Sequence, residues 1–200
     1  MGTRNLTIVV KDKKYRVAQY AQWDGYPTGQ GVTIAEFIQN KMDLRKFKKA
    51  IDNTKFITSE EITARWRIAG ADDSDYVDSK VSNKFEELYP ELSRNTGADV
   101  LEIIQDNSGG NLQNSVDFVG DSLFCEWAYV IDLDKKMVEV YKGFNEKPLT
   151  KRDRFYKIKT TEGGNSNHNY KQVKLLKKYT FKAFTEANML KLEASLKDED

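Results

Sequence analysis

Apolar positions along this chain follow two rhythms. Near both ends they form short β-branched or aromatic runs, and between them they recur at the three-and-four spacing of a helix face. Leu6–Val10 and Tyr15–Gln22, parted by Lys11-Asp12-Lys13-Lys14, predict an antiparallel hairpin. Phe124–Ile131 and Met137–Tyr141, parted by Asp132–Lys136, predict a second, and Val173–Phe181 predicts a further strand. Thr33 and Glu36 have capping-box spacing and open a helix through Ile34, Phe37 and Ile38. Leu44–Ile51 sets Leu44, Phe47 and Ile51 on one face. Thr58 and Glu61 repeat the capping pattern before Ile62 and Trp66, and Gly70 stops that helix. Lys80–Leu92, interrupted near Pro90, and Asp99–Gln105 complete the helical middle. Thr185 caps a last helix, with Phe184 and Met189 as its staple. The expectation is a single α+β domain over 1–196, with an antiparallel sheet from the N- and C-terminal hairpins and a helical middle section. Residues 161–170 are expected to be a mobile loop and 197–200 a frayed tail.

Composition narrows the function classes. Across 200 residues, 39% are hydrophobic, 32% charged and 12% aromatic, enough for a real core rather than a disordered chain. The formal net charge of +1 removes any whole-chain case for nucleic-acid binding. Cys125 is the lone cysteine, so no intramolecular disulfide forms, and with no signal-like N-terminus or membrane-length apolar run a cytoplasmic setting is expected. Cys125 and His168 alone cannot make a structural zinc site, and no cofactor is expected. Asp72, Asp73, Asp75 and Asp78 lack the glycine and closing glutamate of a calcium-binding EF-hand loop. His168 in a Gly/Asn-rich segment reads as surface rather than as part of a triad, and Cys125 in a strand reads as a small hydrophobe. Thr3 would serve as a terminal nucleophile only after removal of both Met1 and Gly2.

The chemistry concentrates in Gln19–Gly31, where aromatics, amides, an acid and glycines alternate. That mixture suits a shaped loop presenting polar groups beside flat apolar surfaces. Gly25, Gly29 and Gly31 permit unusual backbone angles and close approach, and Pro27 biases Tyr26 toward an extended conformation. Leading into the helix opened by Thr33, the glycines place amides as in a general anion site, while matching neither standard phosphate-loop pattern. The alternative reading of the stretch is a connector whose Trp23 and Tyr26 plug the core.

Two other constellations stand beside it. Asp24 and Glu126, carboxylates in unlike surroundings, are the candidate acid/base pair of a hydrolase. Segment 151–178 is basic, with Phe155, Tyr156 and Tyr170 interleaved, and would serve an inhibitor that binds nucleic acid or a host protein, or self-association into a homo-oligomer.

Gly-Thr-Arg-Asn-Leu-Thr (2–7), Ala-Gln-Tyr-Ala-Gln-Trp-Asp-Gly-Tyr-Pro-Thr-Gly-Gln-Gly (18–31) and Cys-Glu-Trp-Ala-Tyr-Val-Ile-Asp-Leu-Asp (125–134) together resemble a family of uncharacterised phage and bacterial proteins. The resemblance implies that the blocks meet around one site. A phage setting implies interference with host defence, for example by sequestering a nucleotide-derived signal. The expectation is thus a binding module for a small nucleotide-like ligand, with no membrane partner. Trp23, Tyr26, Trp127 and Tyr129 would stack on the ligand. Arg4 and the backbone of Gly25, Thr28, Gly29, Gln30 and Gly31 would hold anionic groups. Asn5, Gln19, Gln22, Asp24 and Glu126 would read base or ribose edges.

Overall fold

Strand β1 (Asn5–Lys11) is buried on both faces, and in the computed structural model, which describes residues 2–72, 77–160 and 169–197, it lies inside a five-stranded sheet. β2 (Lys14–Ala21) pairs with it antiparallel through a two-residue turn in which Asp12 and Lys13 both have positive φ, the geometry that follows strand twist. The second predicted hairpin is also formed, as β5 (Trp127–Asp132) and β6 (Met137–Lys142), and β7 (Lys174–Thr180) closes the order β2-β1-β5-β6-β7. The two hairpins join by a parallel pairing of β1 with β5, so the sheet is mostly rather than wholly antiparallel. At the turn end of that seam the Asp134 carboxylate accepts the Asp12 and Lys13 amides, each at 2.9 Å.

Between the hairpins lie α1 (Val32–Glu36), flanked by the π-helical turns Pro27–Gly31 and Phe37–Lys41, then α2 (Leu44–Asp52), β3 (Lys55–Phe56), α3 (Ser59–Ala69) and α4 (Ser79–Leu88). α5 (Val100–Asp106) and β4 (Asn111–Leu112), which pairs with β3 in parallel, follow, and α6 (Glu186–Lys197) ends the described chain. The capping box of Thr58 with Glu61 is present, and Gly70 ends α3 at φ 111°. Thr185 accepts the Asn188 amide at the start of α6, with Phe184 and Met189 both buried. The expected box at Thr33 is absent, because the helical stretch already begins at Pro27, whose fixed φ and missing amide suit a first turn. Thr33 instead turns its hydroxyl back to the Gly29 carbonyl. Residues 161–168, with His168, the acids Asp73 and Asp75, and the tail 198–200 lie outside the described residues.

The sheet has a core on each face. Val9, Val17, Tyr129, Ile131 and Val140 pack against α1, α2, α5 and α6. Leu6, Ile8, Val10, Ala128 and Val130 lie under a roof of loops carrying Val119, Cys125, Phe155 and Val173. Cys125 is fully buried, which pushes its thiol up and leaves it packing as a small apolar group.

The roof is pinned by a buried charge cluster. Arg154 donates from Nε to Glu139 Oε2 at 2.6 Å and from its terminal nitrogen to Asp132 Oδ2 at 2.8 Å, and the Tyr141 hydroxyl also donates to Glu139 at 2.6 Å. Burial pushes the Glu139 carboxyl up, but the hydrogen bonds from Arg154 and Tyr141 and the charges of Arg154 and Lys178 outweigh it and hold the group at about 2, against its usual 4.5. A depressed carboxyl adds stability above its unfolded value, which is lost as pH falls from 4.5 toward about 2. Arg154→Met leaves buried Glu139 with only Lys178 and the Tyr141 hydroxyl and Asp132 with only Lys135. It is expected to lower unfolding free energy at pH 7 by about 3 kcal/mol, with a shallower acid-side decline than the unsubstituted protein. Urea unfolding at pH 7 and pH 3 checks this, and a loss below about 1 kcal/mol would show that the cluster behaves like an exposed ion pair.

Candidate functional site

The three sequence blocks of the resemblance fold into the adjacent strands β2, β1 and β5. Their candidate residues collect where β1 and β5 begin and β2 ends, and there most of them bind one another. Asp24, not a glycine, takes the left-handed conformation, at φ 53°. Gly25, Gly29 and Gly31 have no positive φ. They are needed for close packing by the protein's own chain. A Cβ at Gly29 would stand 2.1 Å from the Asp24 carbonyl, and one at Gly25 would stand 2.7 Å from Asn5 Cβ. The Gly25 amide donates to Thr3 and its carbonyl accepts the buried Tyr129 hydroxyl at 2.8 Å. The Gln30 amide donates to the Asp24 carbonyl, and Gln30 Oε1 accepts the Ala98 amide at 2.7 Å.

Burial divides the predicted set. Asn5, Gln19, Trp127 and Tyr129 lie in the interior, Asn5 donating to the Trp23 carbonyl and Gln19 to the Ser93 carbonyl. Trp127 and Tyr129 therefore present no ring face at the surface. Gln22 reaches the loop before α5 through its amide, which donates to the Arg94 carbonyl at 3.1 Å. Trp23 is 47% exposed, its indole N–H donating to Asn95. The carboxylates of Asp24 and Glu126 share no hydrogen bond, since Asp24 accepts from the Tyr26 hydroxyl and Glu126 from the Arg4 amide.

The anion site expected at the glycine-rich helix start is filled by the protein itself. Glu193 of α6 accepts the Thr28 amide at 2.9 Å and the Thr28 hydroxyl at 2.5 Å. Partial burial pushes the Glu193 carboxyl up, but those two bonds and Lys197 hold it below its usual 4.5. A free helix start attracts an anion; this one has already captured a carboxylate.

Beside this closed loop, the same strand ends carry an open surface that the sequence reading missed. The Arg4 guanidinium lies 4.4 Å over the ring of Phe124, which is 40% exposed. The Phe124 turn is tied to the turn after β6, the Gly143 amide donating to the Glu126 carbonyl at 2.8 Å and the Phe144 amide to the Ser122 carbonyl at 2.6 Å. Phe144 is 50% exposed and has φ 54°, an uncommon conformation for a bulky side chain. Asn145, buried behind it, enforces this geometry. Its side chain donates to the Lys147 and Gln172 carbonyls, both at 2.8 Å, and accepts the Lys147 amide at 3.1 Å, while its own amide donates to the Ser122 hydroxyl at 3.0 Å. Phe144 borders a cleft of about 460 Å³ between Lys142–Lys147 and Lys174–Leu176, with Lys142, Lys147 and Lys174 as its cations and Glu146 as an acid beside them. Gly143-Phe144-Asn145, an aromatic between two turn residues just past a strand, is the sequence signal that would have located it.

Among the described residues no group of three or more His, Cys, Asp or Glu is placed to hold a metal ion, and no helix is long and apolar enough to cross a membrane. No protein-family model, curated protein or solved structure matches this chain. Replacing Glu193 by Gln keeps the hydrogen-bonding shape but removes the charge at the helix start, and is expected to cost about 1 kcal/mol at pH 7. The depressed carboxyl contributes above pH 4.5, so the gap between the two proteins should close as pH falls below 4.5 through the folded-state value, which pH-resolved denaturant melts would read directly.

Proposed function

We propose that this protein is a binding module for a small nucleotide-type ligand, a flat ring carrying anionic groups, which it sequesters rather than transforms. The observation that carries the reading is Phe144, an aromatic held half in solvent in the left-handed region by a buried asparagine. Such a conformation costs about 1 kcal/mol or more and exposes apolar surface, and strain of this kind clusters at ligand sites. The ring of Phe144 supplies a stacking face, and Lys142, Lys147 and Lys174 supply charge for phosphate. Arg4, already stacked on Phe124, adds a bidentate donor along the same strand ends. In a phage, tight capture without turnover would withdraw a nucleotide signal from host defence.

Purified protein mixed with cyclic dinucleotides, cyclic mononucleotides and ADP-ribose derivatives is expected to show a raised melting temperature with one class. That ligand should gain about 2.7 kcal/mol of stability for the native state at a hundredfold excess over its dissociation constant, and it should be recovered unchanged. Phe144→Gly should abolish the shift while leaving ligand-free stability within about 1 kcal/mol, because glycine relieves the left-handed strain but loosens the unfolded chain. An undiminished shift in that variant would place the ligand elsewhere.

A further inference from the structure

The sheet ends in two unlike edges. On β2 the Ala18 carbonyl accepts the Ser115 amide at 3.1 Å, and the chain just beyond is held by Gln22 on Arg94. On β7 the outer side is bare, since among the described residues no backbone group other than those of β6 pairs with residues 174–179. An uncovered edge offers a row of donors and acceptors to any extended chain.

The side chains on that edge select which chain. Lys174, Lys177 and Lys178 are exposed, whereas Leu175 and Leu176 are half-buried, each against a different one of the two cores. A second copy of β7 would set lysines against lysines, and like charges across a strand pair are unfavourable. Lysines guard an edge against neutral strands, but an acid-bearing strand turns the same charges into attraction. The edge is bordered by the cleft of about 460 Å³ beside Lys174 and by another of about 220 Å³ beside Leu175, Lys178 and Arg152, which opens on the Arg154–Glu139 pair and Asp153. Such recesses are where alternate side chains of an added strand lodge.

We infer that β7 is a docking edge for an extended acidic segment of a partner protein, which adds to the sheet beside it. Main-chain hydrogen bonds supply affinity, and the lysines supply selection for glutamate or aspartate at alternating positions. The probe is a fluorescein-labelled seven-residue peptide alternating glutamate and valine, followed by fluorescence anisotropy. Saturable binding is expected, weakened at least tenfold in a Lys174→Glu, Lys177→Glu protein and at least tenfold when one edge of the peptide is N-methylated. Dependence on the peptide's own N–H groups separates this edge from the nucleotide reading, which has no such requirement. Absence of binding, equal binding of the N-methylated peptide, or tighter binding of a single-stranded oligonucleotide than of the peptide would overturn the inference.

Discussion

The seam between β1 and β5 is the constraint from which the rest of the structure follows. Because β1 pairs antiparallel with β2 and parallel with β5, the chain leaves β2 and re-enters β5 at the same end of the sheet. The helical middle is therefore a long excursion over one face that must return to its starting point. That return brings Arg4, Asp24, Glu126 and Phe144 to one end of the molecule, and the two hairpin turns, clamped by Asp134, to the other. A strand paired on both sides and covered on both faces is buried throughout, hence the apolar Leu6, Ile8, Val9 and Val10, with Asn5 and Thr7 as its buried polar residues.

Polar groups near this seam are largely satisfied from within. Asp132 and Glu139 share Arg154, Tyr129 is tied to Gly25, and Glu193 completes a helix start at the opposite end of the sequence. Asn5 Oδ1 and Thr7 Oγ1 are the exceptions on β1, buried without a partner. The loop of greatest chemical variety is consequently the most self-contained, whereas Phe144 lies outward at a conformational cost. Chemical richness and availability to a ligand are different properties, and the geometry of acceptors around Asn145 separates them.

Much of the fold was legible in the sequence. Apolar β-branched and aromatic runs around short polar turns marked both hairpins, face spacing marked α2, and caps marked α3 and α6, since these signals act over a few residues. The parallel join was not legible, because nothing local states which strand β1 meets across the intervening chain. The start of the first helix was misplaced for a physical reason: Thr33 and Glu36 have capping spacing, but Pro27 with a carboxylate from α6 begins the helix earlier. The glycine pattern read as a phosphate cradle, when its empty Cβ space is taken up by Asp24, Asn5, Met189 and Tyr129. Phe144 escaped notice because its backbone conformation is imposed by Asn145 and Ser122, partners fixed only by the tertiary fold.

The contact of Glu193 with Thr28 has a consequence for synthesis on the ribosome. The first hairpin emerges with β1 lacking β5 until residue 127 and beyond have been made, and the helix start at Pro27 lacks its carboxylate until α6 has cleared the exit tunnel. Val9, Val17 and Ile34, all fully buried in the finished protein, are meanwhile without most of their cover. Native contacts of such long sequence separation form late. The chain thus completes its fold only once α6 is available to reach Thr28, and until then these apolar side chains are open to misassociation.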